Sequence, residues 1–254
     1  MKIVVVGGTG QIGRQLVPRL NSLGHEVIAA SPKRSVNADT LEGLAAILAG
    51  ADVVVDVANS PSFEDTAVLA FFEASTQNLL AAGAVAWVRH HVALSVVGTE
   101  SMQGSGYFRA KLAQERLIRA PPLPYTIVRA TQFFEFMAGI AHTSMREDVV
   151  WLSLAAIQPM ASTEMAEALA DAALAAPVNG MIEIAGPERA PQAEFVATWL
   201  SETDDPRAVA VDPAAPYFVV EIDDASLTPG PAARIMPTHS DDWLAHHLPT
   251  QVAA

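Results

Sequence analysis

The sequence predicts an α/β protein with a doubly wound parallel sheet and a small additional lobe toward its C-terminus. Short runs of β-branched residues recur along the first half, segments with helical spacing lie between them, and the rhythm changes after about residue 131. Strands and helices that alternate in this way require βαβ crossovers, which leave the strands parallel within one sheet. We expect residues 1–130 to form the sheet domain and residues 131–254 to complete the sheet and form the lobe.

The first half of the chain contains alternating predicted strands and helices. Ile3–Val6 is a continuous β-branched run, which is typical of a strand buried on both faces of a parallel sheet. The following strands are predicted at Glu26–Ala30, Asp52–Val57, Val92–Val97 and Tyr125–Val128. The helices between them are predicted at Ile12–Leu23, Asp39–Ala49, Asp65–Ala82 and Tyr107–Arg119.

Capping residues and turn-forming residues mark the ends of these elements. Gly24 follows the first helix at the position where glycine commonly ends a helix. Asp39 or Thr40 can cap the second helix, which Gly50 would end. In the second half we expect shorter elements, with helices near Thr163–Ala175, Gln192–Leu200 and Asp241–His247, a strand near Met181–Ala185, and loops over 204–216 and 228–237.

The composition excludes several classes of function. The formal net charge is −13 and the acidic residues are scattered, which disfavours a nucleic-acid partner because such a partner requires a basic face. The chain has no cysteine, which excludes disulfides, thiolate metal sites and cysteine nucleophiles. The adjacent pairs His90-His91 and His246-His247 lack the spacing of metal ligands, and we assign no metal. With neither a signal-peptide pattern nor a stretch of ~18 apolar residues, we expect a cytoplasmic protein without a membrane partner.

A glycine-rich segment directly follows the first strand and opens the first helix. It reads GGTGQIG over residues 7–13, with glycines at the three positions of a G-x-x-G-x-x-G pattern. Such glycines allow a tight turn, a close approach of the backbone to a pyrophosphate, and close packing of helix on strand. The pyrophosphate would bind the free N–H groups of the helix N-terminus. An ordinary turn is the alternative, but the context favours a Rossmann-type dinucleotide site at Gly7, Thr9, Gly10, Gln11, Ile12 and Gly13.

The end of the second strand bears on which dinucleotide binds. A site for NAD usually presents Asp or Glu there, about 20 residues after the loop, to hold the ribose 2′-hydroxyl. This chain has Ser31, Lys33 and Arg34 instead, so a carboxylate that would repel a 2′-phosphate is missing. These residues favour NADP(H), with Ser31 and Arg34 as the main contacts and Lys33 as the next. The alternative is that Lys33 and Arg34 form a solvated pair in a loop.

A tyrosine and a lysine stand four residues apart in the fourth predicted helix. This spacing places Tyr107 and Lys111 on the same helix face, one turn apart. An ammonium near a phenol favours the phenolate, so we expect Lys111 to lower the pKa of Tyr107 and prepare it for proton transfer. Lys111 can also bind the nicotinamide ribose, and Ser95 on the preceding strand can polarise a substrate carbonyl. The alternative is surface decoration, which the position after the fourth strand and the upstream serine disfavour.

Several segments together resemble the short-chain dehydrogenase/reductase superfamily, in its atypical NmrA-like branch. The matching segments are Gly7–Gly13, Asp52–Asn59, Ser95–Gly98, the Tyr107/Lys111 pair, Tyr125–Phe136, Gln158-Pro159 and Glu183–Pro187. The resemblance covers nearly the whole chain and implies a seven-stranded parallel sheet with a small C-terminal substrate lobe. It also implies a Ser–Tyr–Lys centre, in which Tyr107 is the general acid, Lys111 holds the ribose and tunes the tyrosine, and Ser95 orients the carbonyl.

The resemblance implies further cofactor contacts and has one departure. The loops after two of the strands should line the cofactor at Ala58, Asn59, Thr131 and Phe133. The fourth catalytic residue of the family is an asparagine in the helix after Asp52–Val57. It has no counterpart here, because residues 71–73 read FFE at about that position. The family's proton relay from solvent therefore lacks one member in this chain.

The function expected from the sequence is that of an NADPH-dependent oxidoreductase, which reduces a small carbonyl compound or oxidises the matching alcohol. Two alternatives remain: an epimerase or dehydratase that uses the cofactor transiently, and an NmrA-like regulator that binds NADP(H) without turnover. Such regulators usually lack the tyrosine, so Tyr107 favours an enzyme. Monomer and homodimer both stay open. A group of large apolar residues in the second half could line a substrate pocket or belong to the core. We call it the aromatic group, and it consists of Phe133, Phe134, Phe136, Met137 and Trp151.

Overall fold

Strands and helices alternate along the first half of the chain in a computed structural model, which describes residues 1–34 and 36–247 apart from the side chain of Arg34. In chain order the strands are β1 (Lys2–Val6), β2 (Glu26–Ala30), β3 (Val53–Asp56), β4 (His90–Val96), β5 (Tyr125–Ala130), β6 (Met145–Arg146), β7 (Val149–Leu152), β8 (Ala156–Ile157), β9 (Gly180–Ala185), β10 (Ala190–Pro191), β11 (Ala208–Val211) and β12 (Arg234–Ile235). The helices are α1 (Gly13–Ser22), α2 (Leu44–Leu48), α3 (Asp65–Val85), α4 (Gly106–Arg119), α5 (Met137–Thr143), α6 (Ser162–Leu174), α7 (Gln192–Glu202) and α8 (Ser240–His247).

Seven of these strands form one sheet, in the order β12-β9-β5-β4-β3-β1-β2. The pairing is parallel, and Val5 of β1 lies opposite Ala29 of β2 on one side and Val55 of β3 on the other. Because β1 lies between β2 and β3, the direction in which strands are added reverses at β1. Open α/β sheets bind ligands beyond the carboxyl ends of the strands at such a reversal. The predicted doubly wound fold is confirmed, and the segments after β1 and β3 are the places to look for a site.

The chain divides into two compact units. The first comprises Met1–Ala130 and Thr163–Ile182, and the second comprises Thr131–Ser162 and the residues from Glu183 onward. One boundary falls between residues 130 and 131, and α6 from Thr163 onward belongs to the first unit together with the first residues of β9. The second unit contains two small sheets, a three-stranded one in the order β11-β7-β6 and a pair formed by β10 and β8.

Helix α3 is the long apolar helix of the first unit. By length and composition alone it would also fit a membrane span, and it is the one described helix for which this holds. Its Val68 and Phe72 are buried together with Ala110 of α4. Burial of such side chains contributes about 1.5–3 kcal/mol each. These side chains of α3 therefore pack against α4 within the unit.

The second predicted helix is much shorter than its sequence pattern indicates. We expected a helix over Asp39–Ala49, but α2 comprises only Leu44–Leu48. Leu41 and Gly43 have φ angles of 66° and 68°, which a right-handed helix cannot contain. The left-handed residues therefore delay the start of the helix.

Short strands in the second half of the chain differ from the loops that we expected there. The segment 204–216 contains β11, and the segment 228–237 contains β12. β12 has only two residues and forms through its pairing with Ile184 and Ala185 of β9. A strand of this length has too few residues to show an alternating pattern, so its partner rather than its own sequence determines it.

Candidate functional site

The glycine loop lies between β1 and α1 and packs closely against neighbouring backbone. A Cβ at Gly7 would lie 2.7 Å from the backbone nitrogen of Ala58, and one at Gly8 would lie 2.8 Å from the Cα of Ala29. At Gly13 a Cβ would overlap the backbone of Gly7 and Gly8. Gly7 also adopts a φ of 80°, which residues with a side chain rarely adopt. No side chain fits at these glycine positions, and the exposed backbone there allows close contact with a pyrophosphate.

The N-terminus of α1 has hydrogen-bonding capacity for an anion. Its N-cap residue Ile12 makes no side-chain capping bond, and the first turn contains no acidic residue. The loop before it is held in place because the N–H groups of Gly7 and Gly8 both donate to the carbonyl oxygen of Ala30. A helix N-terminus of this kind binds phosphate through its free N–H groups and its dipole. The remaining loop residues are partly or fully exposed and comprise Thr9, Gly10 and Gln11.

The end of β2 presents a buried hydroxyl that no described residue binds. Ser31 follows the strand directly, is 6% exposed, and its Oγ has no hydrogen-bond partner among the described residues. Lys33 is exposed in a short 3-10 turn, and the predicted contact through Arg34 lies outside the described side chains. Buried polar groups without a partner are uncommon in folded proteins, and a ligand can supply the missing bond. The residues fit the adenosine ribose of a dinucleotide.

The loop after β3 adjoins the glycine loop. Ala58 donates its N–H to Oδ1 of Asp56 at 3.0 Å, and its backbone borders Gly7. Asn59 is exposed, and its side-chain oxygen accepts a hydrogen bond from the N–H of Ser60. The structure thus places Ala58 at the carboxyl end of the sheet, where the strand order reverses. Asn59 stays a predicted cofactor contact.

Thr131 and Phe133 belong to the second unit, where contacts within that unit hold their loop. Thr131 Oγ1 donates to the carbonyl oxygen of Gln158 at 2.6 Å. Phe133 forms an isolated β-bridge with Met160. The side chains of Thr131 and Phe133 are both buried. Their roles as cofactor contacts stay predictions.

Lys111 lies on α4 with its ammonium buried at the carboxyl end of β4. Nζ donates to the carbonyl oxygen of Leu94 at 2.8 Å and to Oε1 of Gln114 at 2.5 Å. Burial lowers the pKa of Lys111 to about 8, although the negative charges of Asp56 and Glu115 oppose this shift. An ammonium has three N–H donors, so one remains without a hydrogen-bond partner among the described residues. At neutral pH the group is mostly charged and can donate this bond to a ligand.

Two residues that sequence analysis missed connect Lys111 with the glycine loop. Gln114 donates from Nε2 to Oδ2 of Asp56 at 3.0 Å, and Oδ1 of Asp56 accepts from Ala58 beside Gly7. Burial raises the pKa of Asp56, while the N–H of Ala58, the charge of Lys111 and the amide of Gln114 oppose the shift. The available sequence signals were a carboxylate that ends a buried strand and an amide three residues after the lysine. No local pattern links residues that are 58 positions apart.

The ring of Tyr107 packs among phenylalanine rings near the N-terminus of α4. The ring centres lie 5.7 Å from Phe63, 6.2 Å from Phe72 and 5.9 Å from Phe108. Burial raises the pKa of Tyr107 to about 12. We expected Lys111 to lower this pKa. The result is the opposite because burial of the phenol raises the pKa. The ammonium of Lys111 is bound to β4 and lies 4.4 Å from the centre of the Phe72 ring.

Ser95 is part of a buried ionic network. Its Oγ donates to Oε1 of Glu115 at 2.7 Å, and Arg129 donates to the same carboxylate through Nε at 2.8 Å and Nη2 at 2.6 Å. Arg119 adds a bond to Glu115 at 2.9 Å, and Glu100 accepts from Arg129 at 2.6 Å. The only O–H of Ser95 is thus donated to a carboxylate. Its catalytic role stays a prediction, and this hydrogen bond counts against it.

The aromatic group of the second unit forms several separate contacts. Phe134 and Met137 line a cavity of about 10 Å³ beside α7 and α8, which has room for about one water molecule. The rings of Phe133 and Phe136 are 6.0 Å apart, and Trp151 lies on β7. The members of the group thus contact different partners, and their role as a substrate pocket stays a prediction.

A family model supports the assignment of the glycine loop. A model described as NAD(P)H-binding matches residues 7–139, which is more than half of the chain. No curated protein matches the sequence. The matched segment begins with the glycine loop and contains Ser31, Asp56, Ser95, Tyr107 and Lys111.

Solved structures share the fold. A short-chain dehydrogenase/reductase superfamily protein from Agrobacterium tumefaciens, with bound NAD, is 15% identical with a TM-score of 0.69, and the alignment covers 97% of this chain and 95% of that one. The dTDP-4-dehydrorhamnose reductase from Yersinia enterocolitica is 14% identical with a TM-score of 0.70, and the alignment covers 97% of this chain and 98% of that one. The UDP-N-acetylglucosamine 4-epimerase from Bacillus cereus is 21% identical with a TM-score of 0.66, and the alignment covers 84% of this chain and 85% of that one. The chain therefore belongs to the NAD(P)H-binding family and shares its fold with these structures.

Proposed function

We propose that this protein is an NADP(H)-dependent oxidoreductase that reduces a small carbonyl compound, with Tyr107 as proton donor and Lys111 as the residue that binds the nicotinamide ribose. One series of contacts carries the proposal. The glycine loop borders Ala58, whose N–H binds Asp56, and Asp56 is joined through Gln114 to Lys111. A dinucleotide held by the loop would therefore extend along this end of the sheet toward an ammonium with one N–H to donate.

Ser31 supports NADP(H) as the cofactor. Its buried Oγ lacks a partner among the described residues, and the sequence has no acidic residue between Glu26 and Asp39. A 2′-phosphate would accept the hydroxyl proton of Ser31 in a charge-assisted hydrogen bond. Lys33 and Arg34 would add positive charge near that phosphate, whereas a carboxylate in their place would repel it.

The chemistry that bound NADPH supplies is hydride transfer to a carbonyl carbon. The carbonyl oxygen then needs one proton to become an alcohol, and Tyr107 carries that proton because its phenol, with a pKa of about 12, is neutral at physiological pH. A phenol with so high a pKa is a weak acid at neutral pH, so most of the rate increase would come from positioning of the reactants.

The cofactor assignment is tested by titration of the purified protein with NADPH and NADH. We expect NADPH to bind at least about tenfold more tightly, since only NADPH offers the 2′-phosphate. Arg34→Ala should narrow this difference. Equal affinities for the two dinucleotides would refute the assignment to NADP(H).

The reaction is tested by NADPH-oxidation assays with a panel of ketones, quinones and imines. We expect Tyr107→Phe to bind NADPH normally and to lose nearly all turnover, because the proton donor is gone while the ring and its packing remain. Tyr125→Phe serves as the matched control, because Tyr125 is the first residue of β5 and lies at the end of the sheet opposite to the carboxyl ends of the strands. Full activity of Tyr107→Phe would refute its role as proton donor.

A second candidate is an NADP(H)-binding protein without turnover, as in the NmrA-like regulators that the sequence resembles. Two observations favour it: the pKa of Tyr107 is raised rather than lowered, and the hydroxyl of Ser95 is donated to Glu115. Tight NADPH binding without turnover on any member of the panel would support this candidate. Because one structural neighbour is named as a nucleotide-sugar epimerase, the panel should also contain a nucleotide sugar.

A further inference from the structure

The hydrogen bonds of Gln114 have only one possible direction. A carboxylate can only accept hydrogen bonds and an ammonium can only donate them. The amide between them must therefore turn its NH₂ group toward Asp56 and its oxygen toward Lys111, as the distances of 3.0 and 2.5 Å indicate. All three side chains are buried, so water does not compete for these bonds.

Asp56 determines this direction because both of its oxygens are used. Oδ1 accepts from the N–H of Ala58 beside the glycine loop, and Oδ2 accepts from Gln114. Two donors on two oxygens, together with the charge of Lys111, favour the ionised carboxylate, whereas burial of Asp56 opposes it. Asp56 is therefore the residue that connects the loop and the lysine, although it lies on β3 and both Gln114 and Lys111 lie on α4.

We propose that Asp56 is a positioning residue for Lys111 and acts through Gln114, so that the ammonium is held in the charged form and turns its free N–H toward the dinucleotide. The inference rests on the proposed function, in which Lys111 binds the cofactor. It adds that the lysine is functional only when the amide of Gln114 is oriented by a carboxylate.

The proposal predicts a specific defect for Asp56→Asn. An asparagine offers one acceptor and one donor, but Ala58 and Gln114 both require acceptors. Either a donor of the new side chain faces a donor, or the amide of Gln114 reverses and turns its NH₂ group against Lys111. Both outcomes disturb the ammonium, and the lost negative charge lowers its pKa further.

A second substitution should restore the arrangement. In the double variant Asp56→Asn/Gln114→Glu, the asparagine accepts from Ala58 and donates to the new glutamate. The glutamate then accepts from Lys111, and the number of negative charges is the same as in the native protein. A purely structural role for Asp56 does not predict that a negative charge moved to position 114 restores the function of the lysine.

The experiment has two readouts, neither of which depends on turnover. The first is the dissociation constant of NADPH, measured by fluorescence titration. The second is the pKa of Lys111, measured by NMR of protein labelled on lysine side chains with ¹³C and ¹⁵N. The chain contains only three lysines, so Lys2 and Lys33 provide internal references in the same spectra.

We expect Asp56→Asn to weaken NADPH binding by about tenfold or more and to lower the pKa of Lys111. The double variant should bind NADPH within about threefold of the native protein, with the pKa of Lys111 restored. Asp52→Asn is the matched control, because Asp52 lies just before the N-terminal end of β3 and its carboxylate accepts from the backbone N–H of Lys2 and from the guanidinium of Arg89. It should leave both readouts unchanged.

Unchanged NADPH binding and an unchanged Lys111 pKa in Asp56→Asn would overturn the inference. If that variant does not fold, Gln114→Met removes the amide and keeps the bond from Ala58 to Asp56, and the same unchanged readouts would overturn it. Failure of the proposed function is a different result. In that case Lys111→Met itself would bind NADPH as tightly as the native protein does.

Discussion

Helix α4 contributes neighbouring residues to two buried polar clusters that differ in how completely their hydrogen bonds are made. The Glu115 cluster consists of Ser95, Glu115 and Arg129. The Lys111 cluster consists of Asp56, Gln114 and Lys111. In the first, each carboxylate oxygen of Glu115 accepts two hydrogen bonds, from Ser95 and the two arginines 119 and 129. In the second, the series of bonds ends at an ammonium with one donor left over.

Under the proposed function, this difference distinguishes the structural Glu115 cluster from the proposed binding site at the Lys111 cluster. A ligand at the Glu115 cluster would have to displace charge-assisted bonds that are already made, and these bonds are about twice as strong as neutral ones. A ligand at the Lys111 cluster would complete a bond that the protein leaves open. The proposal for Lys111 therefore rests on the incomplete hydrogen bonding of a buried charge and not on buried charge alone.

The largest expected effect is on the Glu115 cluster. Arg129→Met removes the arginine that binds both oxygens of Glu115 and leaves a buried carboxylate without its main partner. We expect the free energy of unfolding to fall by about 3–5 kcal/mol. Urea unfolding measures this loss, with Arg116→Met on the exposed face of α4 as control. A variant that keeps its stability but no longer binds NADPH would contradict the separation of the two clusters.

Two histidines show what happens to a buried polar group that is kept neutral. His90 and His91 are buried on β4, and burial lowers the pKa of each to about 4. An unfolded histidine titrates near 6.5, so between pH 6.5 and 4 the unfolded chain binds more protons than the folded one. Stability is therefore fully present above about pH 6.5 and is lost as the pH falls toward 4, by up to about 3 kcal/mol for each histidine.

His91→Leu tests this pH dependence. Neither ring nitrogen of His91 has a hydrogen-bond partner among the described residues, so the apolar substitute should be neutral or stabilising at pH 7.5. At pH 4.5 it should remove a large part of the acid-induced loss, as measured by urea unfolding at both pH values. His142→Leu at an exposed position is the control. An equal acid-induced loss in His91→Leu and the native protein would argue against the pKa of His91.

For the Lys111 cluster we expect the main effect on cofactor affinity and not on stability. Lys111→Met removes a buried ammonium whose desolvation offsets part of its interactions, so the free energy of unfolding should fall by less than it does in Arg129→Met. NADPH binding should weaken by about 10- to 100-fold, because the free N–H and the charge are lost. A large loss of stability without a loss of affinity would make the Lys111 cluster structural, like the Glu115 cluster.

The smallest expected effect is at Ser31. Its hydroxyl is buried and unpaired like the ring of His91, but it lies at the carboxyl end of a strand, where the ligand would bind. Ser31→Ala should leave stability unchanged and should reduce the preference for NADPH over NADH by about fivefold. Parallel titrations with both dinucleotides measure this ratio, with Ser22→Ala on α1 as control. An unchanged ratio would place the 2′-phosphate contact at another residue.

The sequence predicted most of the main sheet because its strands are continuous apolar runs. Ile3–Val6 and Tyr125–Val128 lie within β1 and β5, and the second of these strands extends two residues further than we predicted. The start of α2 was wrong because left-handed backbone at Leu41 is not readable from a helical pattern. The two-residue strands of the second unit depend on their partners and carry no pattern of their own.

The candidate site was predictable only in part. The spacing of Tyr107 and Lys111 placed them on one helix face, but it could not predict that the charge of Lys111 does not lower the pKa of Tyr107. The pKa of Tyr107 is set by the rings around it, and Lys111 is bound by a backbone carbonyl and an amide. Asp56 was overlooked because a single aspartate at the end of a strand has many possible roles.

By itself, the sequence determined the alternation of strands and helices, the family and the glycine loop, because these depend on local properties of the backbone. Gly7 and Gly13 occupy positions where no side chain fits, and the spacing of the glycines in the sequence already indicates such positions. Only the tertiary structure decided which buried charged groups have all their hydrogen bonds made and which one keeps a donor without a partner among the described residues. Those bonds join β3, β4, β5 and α4, and packing of distant segments determines which donor meets which acceptor.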